Sequence, residues 1–187
     1  GVLLEPTGAS WATVPLPDGF LANLRALCAK HDVVLIFDEV IGGFRWSPGG
    51  VQKKVGVTPD LTTLAKILAG GLPGGAVAGR ADIMEQLAFK DGEWNRKRKV
   101  LHNGTFNANP LSAAAAIVCL DLIKDGEAQR FADGQAAKLR AGLNAILNRM
   151  EVEGAAYGES SVFHLVLGVP VPARGEGDLR DPQPWPE

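Results

Sequence analysis

Two residues carry the chemistry that is most legible in this chain. Lys66 stands at the end of the apolar run Leu61-Thr62-Thr63-Leu64-Ala65, directly before the glycine-rich stretch Gly70-Gly71-Leu72-Pro73. Asp38 closes a second apolar run, Val33-Val34-Leu35-Ile36-Phe37. A lysine amine condenses with an aldehyde to form a Schiff base, and a carboxylate holds a proton on a pyridine nitrogen. A strand-end lysine paired with a strand-end aspartate therefore fits pyridoxal phosphate chemistry. Taken singly, Lys66 reads as an exposed strand-end lysine and Asp38 as a helix cap or turn former. The pairing gives them a shared purpose.

The elements that must position this pair alternate between strands and helices. Residues 2–4 predict a short buried strand. A helix follows, opened by Pro17 and Asp18, with Phe20, Leu21, Leu24, Leu27 and Cys28 at helical spacing. The β-branched and aromatic run 33–37 predicts a strand covered on both faces. Weaker strands are expected at 61–64 and 76–78, then a helix over 80–89 with Ile83, Met84 and Leu87 on one side. Residues 91–99 are polar, include Arg96-Lys97-Arg98-Lys99, and read as a solvated loop. Asn109 is a good N-cap and Pro110 a good first helical residue. The helix they open is expected to bury Ala113, Ala116, Ile117, Leu120 and Ile123. A further helix over 127–150 should turn Ala136, Leu139, Leu143, Ile146 and Met150 inward, and residues 162–167 predict a strand. This order implies an α/β fold with a largely parallel sheet, whose ligand collects at the carboxyl ends of the strands. Asp38 and Lys66 both fall there.

Composition narrows the class of protein. The chain has 187 residues, is 46% hydrophobic and 21% charged, and carries a formal charge of −2, which gives no electrostatic reason to expect nucleic acid or an anionic membrane as partner. Many of the 23 glycines lie between Gly42 and Gly79, where tight turns can shape a site. No apolar run is long enough for a membrane span, and no signal peptide is visible. Cys28 and Cys119 read as buried free thiols of a reducing, cytoplasmic setting. His31, His102 and His164 show no metal-ligand spacing and join no Ser/His/Asp arrangement, so no metal site is expected. The chain starts without methionine, inside a strand-like run, and its last residues, 171–187, read as an irregular tail. A piece of a longer protein is the expectation.

Several linked motifs make the reading specific. Phe37-Asp38-Glu39-Val40, Gly43-Phe44-Arg45, Gly49-Gly50-Val51-Gln52 and Gly56-Val57-Thr58-Pro59-Asp60 precede Lys66; Gly70-Gly71-Leu72-Pro73 and His102-Asn103-Gly104-Thr105-Phe106-Asn107-Ala108-Asn109-Pro110 follow it. Over roughly residues 1–150 this series resembles the class III aminotransferases, in particular the branch of glutamate-1-semialdehyde 2,1-aminomutase and the transaminases similar to it.

The resemblance implies a fold of the aspartate-aminotransferase (fold type I) kind. Residues 1–125 would form the C-terminal half of the cofactor-binding large domain, a mostly parallel sheet with helices on both faces. Residues 126–170 would supply a linking helix and the start of a small C-terminal α+β domain. It implies pyridoxal 5′-phosphate as cofactor, Lys66 as its Schiff-base lysine, Asp38 on the pyridine nitrogen and Val40 against one ring face. Glu39 is expected to be structural. Gly104 and Thr105 match a segment that reaches the cofactor phosphate of the neighbouring subunit, which implies a homodimer. The reaction implied is amino-group transfer to an amino-acid or amino-aldehyde substrate, as aminomutase or as transaminase. The family's other phosphate loop and its second ring-stacking residue would lie upstream of Gly1. The chain alone is then expected to hold half a site and not to turn over substrate.

Overall fold

The computed structural model describes residues 1–14 and 16–168; the expected tail 171–187 lies outside them. Four strands form the main sheet in sequential order, β1 (Val2–Leu4), β2 (Leu35–Asp38), β3 (Leu61–Ala65) and β4 (Gly75–Gly79). The first three are parallel, with Leu4 beside Phe37 and Asp38 beside Thr63. β4 returns antiparallel, with Ala65 paired to Gly75. The chain thus reverses immediately after β3, and Lys66 is the first residue of that reversal.

Parallel neighbours need crossovers, and two are provided. Between β1 and β2 run α1 (Ala9–Ala12) and α2 (Phe20–Lys30); between β2 and β3 lies α3 (Gly50–Val55). α2 starts later than Pro17 and Asp18 suggested, because Gly19 at φ 73° takes the cap position. It buries Leu21 and Cys28 against Leu35, Phe37 and Val57, with Val2, Leu4 and Leu24 packed around them. Phe20 and Leu27 turn to the surface. Removing Phe37 from water contributes on the order of 2–3 kcal/mol, so this cluster holds β2, and with it Asp38, in place.

Asp60 ties the opposite end of the sheet together. Its carboxylate accepts from the Leu35 amide at 2.8 Å and from the Arg25 and Arg80 guanidiniums at 2.9 and 3.1 Å. Burial alone would push this carboxyl up. The Leu35 amide and the two arginines outweigh that and hold it below its ordinary range.

Beyond the sheet come α4 (Ala81–Met84), α5 (Gly92–Lys97), α6 (Pro110–Ile123) and α7 (Glu127–Arg149). The helix expected over 80–89 is shorter, passing into a 3-10 turn at Glu85–Leu87. The basic stretch is no loop: Asp91 accepts from the Glu93 and Trp94 amides and starts α5. Asn109 and Pro110 open α6 as expected, with the Asn109 side chain accepting from the Leu111 amide.

Two apolar stripes follow the expected periodicity only in part. In α6 the inward face is Ser112, Ala115, Ala116, Cys119, Leu120 and Ile123, while Ala113 and Ile117 are exposed. In α7, Ala136 and Leu147 are buried, and Leu139, Ile146 and Met150 are exposed. The last strands, β5 (Gly154–Glu159) and β6 (Val162–Leu167), form an antiparallel hairpin against α7; β5 had no signal in the sequence. Asn144 of α7 pins the hairpin, bonding both the amide and the carbonyl of Ala156. No helix among the described residues is long and apolar enough to cross a membrane.

Candidate functional site

Asp38 is the last residue of β2, at the carboxyl end of the parallel sheet. Its Oδ1 accepts two hydrogen bonds, from the Val40 amide at 3.0 Å and from the Thr63 hydroxyl at 3.3 Å. Both come from the protein's own turn and neighbouring strand, so the carboxylate is oriented before any ligand arrives. Oδ2 has no partner among the described residues and remains free to accept. Thr63 sits directly across the parallel ladder from Asp38. Its contribution depends on strand register, which the one-dimensional pattern does not reveal.

The residue after Asp38 anchors the following loop. Glu39 is 1% exposed, and its carboxylate accepts from the Val51 amide at 2.6 Å, the Gln52 amide at 3.2 Å and the Gln52 side chain at 3.3 Å. Gln52 reaches on to the Thr62 hydroxyl at 3.1 Å. Burial pushes the Glu39 carboxyl above its ordinary value, against the pull of the Val51 and Gln52 hydrogen bonds. Gly50 makes this contact feasible: it lies at φ 76°, and a Cβ there would collide with Glu39 Oε2. The loop that carries half-buried Val40 is thereby stitched to both β3 and α3.

Lys66 begins a 3-10 turn, Lys66–Ala69, that leaves β3. Its φ is 50°, a left-handed conformation that costs a non-glycine residue roughly 1–2 kcal/mol. The side chain is exposed, and its amine has no hydrogen bond or ion pair among the described residues. Strain of this kind persists where surrounding structure enforces it, often at functional positions. The fold therefore places a pre-oriented carboxylate at the end of β2 and a free amine in the turn that leaves the adjacent β3, at the same sheet end, with Lys66 three residues beyond the ladder partner of Asp38.

Gly104 and Thr105 are not part of this constellation within one chain. Both are exposed, in a turn where the Asn107 amide bonds the Gly104 carbonyl at 3.0 Å, and neither bonds to Asp38, Val40 or Lys66. The histidines also lie elsewhere. His31 caps α2, and His164 sits in β6 within 3.4 Å of the Thr13 hydroxyl.

The donor set suits a pyridine ring bearing an aldehyde: an oriented carboxylate for the ring nitrogen and an unpartnered amine for the aldehyde carbon. Comparison with known proteins gives this arrangement its class. A sequence model of the class III aminotransferases matches residues 1–156. The chain belongs to the class III aminotransferase family. Glutamate-1-semialdehyde 2,1-aminomutase of Methanothrix thermoacetophila is 37% identical over 179 residues, 96% of this chain and 40% of that protein. The same enzyme of Citrifermentans bemidjiense is 46% identical over 123 residues, 66% of this chain and 27% of that protein. The chain spans about two fifths or less of the length of these relatives.

Among solved structures, an omega-transaminase from Sphaerobacter thermophilus superposes with a TM-score of 0.77 at 37% identity, covering 89% of this chain and 36% of that one. A glutamate-1-semialdehyde aminomutase from Pseudomonas aeruginosa PAO1, solved in complex with PMP, gives 0.74 at 28% identity, covering 88% of this chain and 37% of that one. The fold is that of the fold type I transaminases.

Proposed function

We propose that this chain carries the lysine-bearing part of a pyridoxal-phosphate site and that the protein transfers amino groups in the manner of glutamate-1-semialdehyde 2,1-aminomutase. The observation that carries the proposal is the pairing of Asp38, held by Val40 and Thr63, with the unpartnered amine of Lys66 at one end of the sheet. When bound, pyridoxal phosphate supplies an electron-withdrawing ring that stabilises negative charge on a substrate carbon.

Each residue then has a task. Lys66 Nζ would be the point of attachment for the cofactor, and as a free amine the same nitrogen would accept and return the proton of the substrate carbon. Asp38 Oδ2 holds the proton on the ring nitrogen, and the two donors on Oδ1 keep the carboxylate turned toward it. Val40 would pack against one face of the ring. The Gly104 amide and Thr105 hydroxyl serve the phosphate of a neighbouring subunit, where backbone amides and a hydroxyl near a helix start can hold a dianion. A homodimer is supported by the outward face of α6, which exposes Leu111, Ile117, Val118 and Leu122 at 61–71%. We place the protein in the cytoplasm, in keeping with two free cysteines.

The 37% identity to an omega-transaminase favours a second form of the same chemistry, exchange of an amine between an amino acid and an oxo acid. One pair of assays separates the two. Formation of 5-aminolevulinate from glutamate-1-semialdehyde without an added oxo acid supports the aminomutase form; conversion of pyruvate to alanine with an amine donor supports the transaminase. Absence of both activities in the full-length protein overturns the proposal.

A further inference from the structure

The strained turn that carries Lys66 needs something to hold it. From Lys66 to Gly74 the chain leaves β3 and pairs with no strand, so its carbonyls depend on other donors. α6 lies across this turn and supplies two. The Cys119 thiol donates to the Ile67 carbonyl at 3.3 Å, one residue from Lys66. The Ser112 hydroxyl donates to the Pro73 carbonyl at 2.6 Å. Ser112 is 9% exposed, so its hydroxyl is committed to this contact.

The backbone geometry between these two points is equally close. Gly70 sits at φ 60°, and a Cβ there would lie 2.9 Å from the Ala115 carbonyl and 3.3 Å from Cys119 Cβ. Ser112, Ala115 and Cys119 are spaced i, i+3, i+7 and form one stripe of the helix. α6 is otherwise almost wholly apolar, Pro-Leu-Ser-Ala-Ala-Ala-Ala-Ile-Val-Cys-Leu-Asp-Leu-Ile. Burial alone would be served as well by alanine at 112 and valine at 119. The two donors are used at the Pro73 carbonyl and at the Ile67 carbonyl, whose other bond comes from the Gly70 amide.

We infer that Ser112 and Cys119 are positioning residues for Lys66: they seat the 3-10 turn on α6 and so hold the lysine in its left-handed conformation, with the amine free for attachment. The inference rests on the reading of Lys66 as the attachment point. It goes beyond that reading by assigning the rigidity of the lysine to α6 rather than to the sheet. Without the two donors, the turn would relax toward an ordinary negative φ and redirect the Lys66 side chain.

The test has one arm without cofactor and one with it. Ser112→Ala, the double variant Ser112→Ala/Cys119→Ala, and Ser112→Thr as the hydroxyl-retaining control are compared with wild type. In the first arm, amide hydrogen exchange is followed at Gly70 and Leu72, whose N–H groups close the turn onto the Ile67 and Ala69 carbonyls at 3.1 Å each. The double variant is expected to exchange about tenfold faster there, while the amides of β3 keep their protection and Ser112→Thr returns toward wild type. In the second arm, pyridoxal phosphate is added, adducts are trapped with borohydride, and Lys66 labelling is measured by peptide mass. Labelling is expected to slow severalfold in the double variant. Unchanged exchange at Gly70 and Leu72 in the double variant overturns the inference, as does a uniform rise across β3 and α6, which would mean general loosening. If the double variant does not fold, the same outcomes are read from Ser112→Ala alone. Should wild type form no Lys66 adduct, the cofactor reading fails, while the exchange arm still decides the seat.

Discussion

Thr63→Val isolates the orientation of Asp38 from its charge. Valine keeps the shape and strand preference of threonine, so the half-buried position in β3 should accept it with a change in stability within about 1 kcal/mol. What is lost is a hydroxyl that donates to Asp38 Oδ1 at 3.3 Å. A hydrogen bond to a charged group contributes about 1.5–3 kcal/mol at good geometry. At 3.3 Å, with the Val40 amide still bonded to the same oxygen at 3.0 Å, roughly 1 kcal/mol is the reasonable share. That corresponds to about a fivefold loss, by the rule that 1.4 kcal/mol is tenfold. The assay is titration with pyridoxal phosphate, followed by the visible absorbance of the lysine-bound cofactor. Thr63→Val should weaken binding about fivefold and Thr63→Ser should restore it. In the full-length protein, Asp38→Asn should still bind cofactor but lose most of the turnover. Equal affinity for wild type, Thr63→Val and Thr63→Ser would refute the claim that this hydroxyl orients the carboxylate.

Other perturbations have equally definite outcomes. Asp60→Asn removes the buried charge that Arg25 and Arg80 share and turns one acceptor oxygen into a donor, which should lower the free energy of unfolding by about 2–3 kcal/mol in urea titrations. Because the Asp60 carboxyl is held below its ordinary 3.8, its contribution is present above that pH and is lost as pH falls through the lower folded value; the acid limb of the stability profile should flatten in the variant. Gly50→Ala places a Cβ against Glu39 Oε2 at a φ of 76° and should cost about 2–4 kcal/mol by thermal melting, from backbone strain and lost hydrogen bonds together. Lys66→Gly relieves a left-handed non-glycine residue and should raise stability by about 0.5–1 kcal/mol while abolishing cofactor attachment, so that melting temperature and cofactor absorbance move in opposite directions.

How much of this was readable in advance depends on the range of the interaction concerned. Asp38 and Lys66 were legible because each closes an apolar run and stands in a contiguous motif. Strands β2 and β3 were legible as continuous apolar stretches, and the start of α6 because a cap is a local signal. The inward face of α6 was legible only in part: Ala116, Leu120 and Ile123 follow the period, but four consecutive alanines, Ala113-Ala114-Ala115-Ala116, give periodicity little to distinguish. α3 was hidden because it opens on Gly49-Gly50, and its first amides are satisfied by Glu39 from another element. α5 was missed because the basic run masked the capping aspartate, Asp91. Thr63 and Asp60 act across strands, through register and long-range pairing that no local pattern encodes. β5, Gly-Ala-Ala-Tyr-Gly-Glu, has neither alternation nor β-branched residues and exists through its hairpin partner and Asn144.

The most direct measurement of the central claim is the site of covalent attachment. The protein is incubated with pyridoxal phosphate, reduced with borohydride, digested, and its peptides weighed. A single dominant adduct on Lys66, absent in Lys66→Ala, is expected. Labelling spread over surface lysines such as Lys53 and Lys97, with none favoured at Lys66, would contradict it.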